Sequence, residues 1–216
     1  MLQSDKALPN WLLVTLLITW ICATLVGLWW FQQSKLRPFI SPTDNTAYFQ
    51  AKHIDEVIQP YLQQLPAPLP GQQTLVHFWK PDCLCNRVSQ RHFSGLLDTF
   101  KQQQLRVLVI AHPDSSEQQR QELQSLNGSR FTVIKAESEL LDIPASPALA
   151  LYSPQQRLGY YGPYGFGAFC TVREDGFLSG IVTRMQQKEA PSFINVVGDG
   201  CFCSWGSAQL NASSAF

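Results

Sequence analysis

Leu75-Val76-His77-Phe78-Trp79-Lys80-Pro81-Asp82-Cys83-Leu84-Cys85-Asn86 is the stretch that decides how this chain is read. Residues 74–79 form a short apolar run between polar neighbours, the pattern of a strand buried on both faces. Residues 86–104 follow with Phe93, Leu96, Leu97 and Phe100 on one helical face. Cys83 and Cys85 therefore fall where a strand hands over to a helix. There the unpaired N–H groups and the dipole of the first helical turn stabilise a thiolate. Thiol redox chemistry and soft-metal ligation are the two chemistries that such a position favours.

Outward from this junction the chain alternates strand and helix. Residues 105–110 make a second buried strand, 115–126 a polar helix and 130–134 a third strand. Residues 148–152 and 157–161 read as a hairpin around Ser153-Pro154-Gln155-Gln156. A last helix over 174–187 buries Phe177, Ile181, Val182 and Met185. The order implies an α/β domain over residues 72–188, with a parallel core extended by antiparallel strands into a central mixed sheet flanked by helices.

Upstream, Ile54, Val57, Ile58, Tyr61 and Leu62 recur at helical spacing, with Asp44 as a candidate cap and Pro60 near the end. Residues 32–71 thus form a tether with a membrane-proximal helix, closed by the stiff Pro66-Ala67-Pro68-Leu69-Pro70-Gly71.

Residues 1–10 are a short tail, and residues 11–31 are an apolar stretch without charge. As a helix rising about 1.5 Å per residue it matches a bilayer core of about 30 Å. Trp11 at one end and Trp29-Trp30-Phe31 at the other suit the interfacial belts, and no small-x-small cleavage site follows. A single uncleaved anchor in the lipid bilayer is expected. Flanking charge leans towards a cytoplasmic domain, with Lys35 and Arg37 on the distal side against Lys6 and Asp5. Lys+Arg and Asp+Glu are 16 each, so nothing electrostatic favours nucleic acid as a partner.

At these residues the chain resembles the thioredoxin-like superfamily, and in particular its membrane-anchored bacterial members. Residues 75–83 look like the family's strand ending in Phe-Trp, followed by three residues and the nucleophilic cysteine. Ser146-Pro147-Ala148-Leu149-Ala150-Leu151-Tyr152 looks like its active-site proline and the next strand. Leu158-Gly159-Tyr160-Tyr161-Gly162 looks like the closing strand.

The resemblance implies a thiol–disulfide oxidoreductase acting on protein disulfides without a cofactor. Cys83 would be the attacking thiolate, Cys85 the resolving cysteine, and Pro147 a cis-proline that receives the partner's backbone. His77, where thioredoxin has a buried acid, would accept a proton or serve as a core histidine. The resemblance also favours the bacterial inner membrane with the soluble domain on the periplasmic side.

Spacing departs from the family. Cys-x-x-Cys places its cysteines on one helix face, whereas Cys83 and Cys85 diverge in a helix. A disulfide between them needs a locally bent backbone and is expected to be strained and readily reduced. Gly200-Cys201-Phe202-Cys203 repeats the spacing within a C-terminal extension over 189–216, and Cys170 stands alone. Three readings of Cys201/Cys203 compete: a second dithiol relaying electrons to Cys83/Cys85, a thiolate zinc or copper(I) site made by all four, or a clamp on a glycine-rich tail. A redox-inert adaptor on the same fold is a further alternative.

Overall fold

A computed structural model shows two compact units, residues 1–36 and residues 37–216. It describes residues 9–40, 46–127, 130–137, 143–167, 176–187 and 192–206. Asp44, Cys170 and the expected helix start at residue 174 lie outside them.

The first unit is one helix, α1 (Asn10–Lys35). Its residues Asn10–Phe31 have a mean hydropathy of 2.2 and are long enough to cross a membrane; a signal sequence near an N-terminus meets the same criteria. Thr15, Thr19 and Thr24 return their hydroxyls to carbonyls three or four residues earlier, which satisfies all three inside the helix.

In the second unit the elements run β1 (Arg37–Pro38), a 3-10 turn (Thr46–Phe49), α2 (Ala51–Leu62), β2 (Gln73–Trp79), α3 (Leu84–Thr99), β3 (Leu105–Ala111), α4 (Glu117–Asn127) and β4 (Phe131–Lys135). Then come β5 (Ala145–Ser146), β6 (Ala148–Tyr152), β7 (Leu158–Pro163), α5 (Gly176–Gln186), β8 (Phe193–Ile194), β9 (Asp199–Gly200) and β10 (Cys203–Ser204). The main sheet has six strands in the order β4-β3-β2-β6-β7-β8. β2, β3 and β4 are parallel, and β6 and β7 continue the sheet antiparallel. This is the mixed sheet that the alternating pattern predicts.

Side chains of β2 alternate between two cores. Val76 and Phe78 point into a cluster completed by Ile54 and Ile58 of α2, Tyr152, Phe202 and Trp205. Leu75 points into the other, with Phe93 and Leu96 of α3 and Ile181, Val182 and Met185 of α5. Each buried aliphatic or aromatic side chain contributes about 1.5–3 kcal/mol by leaving water. The segments before residue 72 and after residue 188 supply part of that buried surface, so tether helix and C-terminal tail pack into the same core as the sheet. Pro60 sits inside α2, which stops two residues later.

Two small antiparallel ribbons hold the tail: β1 with β9, and β5 with β10. The second sets Cys203 opposite Ser146. Helix α3 begins at Leu84, two residues earlier than the hydrophobic pattern predicts, because Cys83 adopts the extended N-cap conformation.

Candidate functional site: two crossed disulfides at a helix N-terminus

β2 ends at Trp79, Lys80–Asp82 turn the chain, and Cys83 caps α3 with Cys85 in its first turn. The cysteines do not pair within each Cys-x-Cys. Cys83 bonds to Cys203 and Cys85 to Cys201, with Cα separations of 6.0 and 5.4 Å. The two motifs pair with each other, where a strained Cys83/Cys85 bond was the conditional expectation and a separate Cys201/Cys203 dithiol one of three open readings. Residues two apart at a regular helix start diverge, and α3 runs on from Leu84 without the bend that would bring them together. An antiparallel tail with the same two-residue spacing presents a matching partner to each.

The four sulfurs share one small site. Sγ atoms of Cys83, Cys85 and Cys203 lie within 4.8 Å of one another, and Cys201 is bonded to Cys85. Cys83, Cys85 and Cys201 are buried, while Cys203 is partly exposed. A cavity of about 570 Å³ between α3 and α4 reaches Cys83 from a second direction, past Trp79, Asn86 and Leu123.

The proline loop closes the other side. The Ser146–Pro147 peptide is cis, and the Ser146 carbonyl oxygen lies 3.7 Å from Cys83 Sγ. Ser146 Oγ–H donates to the Phe78 carbonyl at 3.1 Å, with Asn86 Oδ1 at 3.3 Å. Asn86 in turn donates its amide to the Lys80 carbonyl. Strand end, helix start and proline loop are thus tied by two buried polar side chains, neither of which the sequence pattern singles out.

His77 stands on the same strand but faces the α3 and α5 side of the sheet. Its ring stacks on Phe93 at 4.7 Å, and its Nδ1 is 2.8 Å from the Tyr164 hydroxyl. Full burial pushes its pKa down to about 3, so it is neutral at ordinary pH, and a group this reluctant to charge is a poor proton store. Burial likewise holds the Tyr164 hydroxyl far above its ordinary pKa, so it stays protonated beside the neutral His77 ring.

The tail carries its own anchor. Trp205 is fully buried, edge-on to Phe78 at 5.8 Å and to His112 at 5.0 Å. His112 Nε2–H donates to the Trp205 carbonyl while Nδ1 accepts the Asp114 N–H. Burial lowers the His112 pKa, which keeps this neutral tautomer. Lys80 Nζ donates to the Ser204 carbonyl at 2.9 Å, one residue beyond Cys203. His112 and Trp205 lie far apart in the chain, so their local sequence gives no hint of the contact.

A central strand leads into the cysteine-capped helix. It runs parallel to the strand that follows and antiparallel to one entered through a cis-proline. These features are those of a thioredoxin-like fold. The chain belongs to the family described as Domain of unknown function (DUF6436), which matches residues 53–205. No curated protein matches it.

Among solved structures it is similar to a putative thioredoxin from Neisseria meningitidis, at 16% identity over 54% of this chain and 76% of that one, with a TM-score of 0.43. A secreted Mycobacterium tuberculosis disulfide oxidoreductase is similar at 17% identity over 53% and 82%, with a TM-score of 0.40. A hypothetical protein from Sinorhizobium meliloti is similar at 19% over 63% and 81%, with a TM-score of 0.46.

Proposed function

We propose that this chain is a membrane-tethered thiol–disulfide exchange protein whose C-terminal Cys201/Cys203 segment is its resident redox partner. One observation carries the reading: β10 lies antiparallel to Ser146, beside cis-Pro147, with Cys203 bonded to Cys83. The thioredoxin resemblance assigns that position to the backbone of a partner protein. The tail occupies it as a substrate strand would.

The exchange starts at Cys203, the one partly exposed sulfur of the four. A thiolate of a dithiol partner attacks Cys203 Sγ, forms a mixed disulfide and expels Cys83 as a thiolate at the α3 N-terminus. The partner's second thiolate then attacks the partner sulfur of that mixed bond, closing the partner's disulfide and expelling Cys203. Two electrons enter the protein, and the two new thiolates take up the two protons the partner's thiols gave up. Oxidation by a partner disulfide uses a second route through Cys83: its thiolate attacks the disulfide and expels one partner thiolate, and the Cys203 thiolate then attacks Cys83 Sγ and expels the other. Cys203 thereby takes the resolving role that the resemblance assigns to Cys85, which is held by Cys201. Pro147 lies beside the docked tail, at the position where the resemblance places a partner's backbone.

Trapping tests this. In the Cys203→Ser protein, Cys83 should be alkylated readily and accumulate mixed disulfides with proteins of the same membrane, while Cys85–Cys201 stays intact. A Cys83 that neither alkylates nor captures any disulfide overturns the reading. Tethering and sidedness are read together from alkaline-wash extraction and from labelling of intact cells with a membrane-impermeant thiol reagent. Retention in the membrane and labelling from outside are expected. A shortened, extractable chain would mean that residues 10–31 act as a leader.

A further inference from the structure

The tail is docked by contacts that do not depend on its disulfides. Trp205 is buried against Phe78 and His112, Lys80 holds the Ser204 carbonyl, and β1–β9 and β5–β10 pair through backbone bonds. Reduction therefore leaves four thiols gathered in one place. Ligands of a tetrahedral zinc at about 2.3 Å each stand roughly 3.8 Å apart. Three of the four sulfurs already lie within 4.8 Å of one another, and the fourth is bonded to one of them. To make a tetrahedral S4 set the bonded pairs have to move apart by side-chain rotation and Cys201 has to join the other three.

We infer that the reduced cluster, Cys83, Cys85, Cys201 and Cys203, is a site for a soft d10 cation, with zinc(II) the probe that defines it, and that the same disulfides gate it. The proposal rests on the exchange reading, because a dithiol partner supplies the electrons. Two disulfides take up four electrons and four protons from two dithiols, leaving four thiols and two partner disulfides. Zinc(II) then displaces the four protons and is held by four thiolates. The resulting double negative charge sits at the positive end of α3, with Lys80 bonded beside Cys203 and Arg87 on the wall of the cavity that reaches Cys83. Oxidation removes the ligands two at a time, so metal release and disulfide formation are one event. Bound metal in turn protects the reduced protein from reoxidation.

Zinc titration of the full chain in detergent, against a chromophoric chelator, decides the matter. After treatment with a phosphine reductant, one zinc per chain is expected; the oxidised protein should take none. Serine at any of the four positions should weaken binding by at least the about 10–100-fold that mere outer-shell changes cost. Without any variant, zinc should shield four cysteines of the reduced wild-type chain from alkylation. Cobalt(II) in its place should give the absorption of a tetrahedral thiolate site. Equal uptake by oxidised and reduced protein, affinity unmoved in both Cys201→Ser and Cys203→Ser, or loss of the ion in Cys170→Ser alone would each overturn the assignment. A cluster that opens to dithiols but takes no zinc ends the metal site and leaves the exchange reading standing; one that binds zinc yet never opens to a protein dithiol ends only the latter.

Discussion

His77 gives the molecule a pH signature. An unfolded histidine titrates near pH 6.5, whereas the folded ring holds no proton until about pH 3. Between those values the unfolded chain binds a proton that the folded chain rejects. Stability is therefore complete above about pH 6.5 and falls as the pH drops, by up to about 1.4 kcal/mol per pH unit. Urea midpoints measured from pH 7 to pH 4 should show this slope, and His77→Gln should flatten it; an unchanged slope would place the acid sensitivity elsewhere. Cys83 owes its proposed reactivity to its position as the cap of α3. In the Cys203→Ser chain it should alkylate faster native than in denaturant, because unfolding removes the helix end. Slower native alkylation would mean that burial outweighs the dipole.

At the scale of elements, α3 and the β5–β10 ribbon determine which sulfurs meet. Antiparallel pairing of the tail against the proline loop matches Cys203 to Cys83 and Cys201 to Cys85. Trp205 anchors the tail through contacts that involve no sulfur. Trp205→Ala empties a fully buried indole site and should cost about 3–5 kcal/mol, whereas Trp205→Phe keeps most of the packing on Phe78. Reoxidation of the reduced alanine variant should give mispaired bonds, counted by peptide mapping, while the phenylalanine variant should recover the crossed pairs. Correct pairing in the alanine variant would mean that the ribbons suffice. Gly198, with φ of 154° and a Cβ position 2.6 Å from the Phe166 ring, leads into β9 of the other tail ribbon, so Gly198→Ala should also loosen the tail.

For the molecule as a whole, the two disulfides are not independent. The first bond to form closes a loop of sequence separation 120 or 116. On the chain-entropy account such a loop is worth about 4–5 kcal/mol. The second bond then closes only the short ring through Leu84 and Phe202, worth about 2 kcal/mol. Removing either bond alone should thus cost about 2 kcal/mol, and removing both about three times as much. Denaturant unfolding of Cys85→Ser/Cys201→Ser, Cys83→Ser/Cys203→Ser and the quadruple variant measures this. Additive losses would show that native contacts, and not unfolded-state loops, set the contribution.

Local pattern in the sequence determined the strand-to-helix junction, the order of strands and helices and the apolar stretch of residues 11–31. Each of these rests on periodicity or spacing within a few tens of residues. Pattern also drew attention to Cys201 and Cys203, though with three uses open. Tertiary structure alone decided that the cysteine pairs cross, that the tail runs beside cis-Pro147, that His112 holds Trp205, and that His77 turns towards Phe93 and Tyr164. Those facts depend mainly on contacts between residues about a hundred positions apart. Such contacts leave no periodic trace: they are selected by how buried surfaces and backbone bonds fit once the sheet exists.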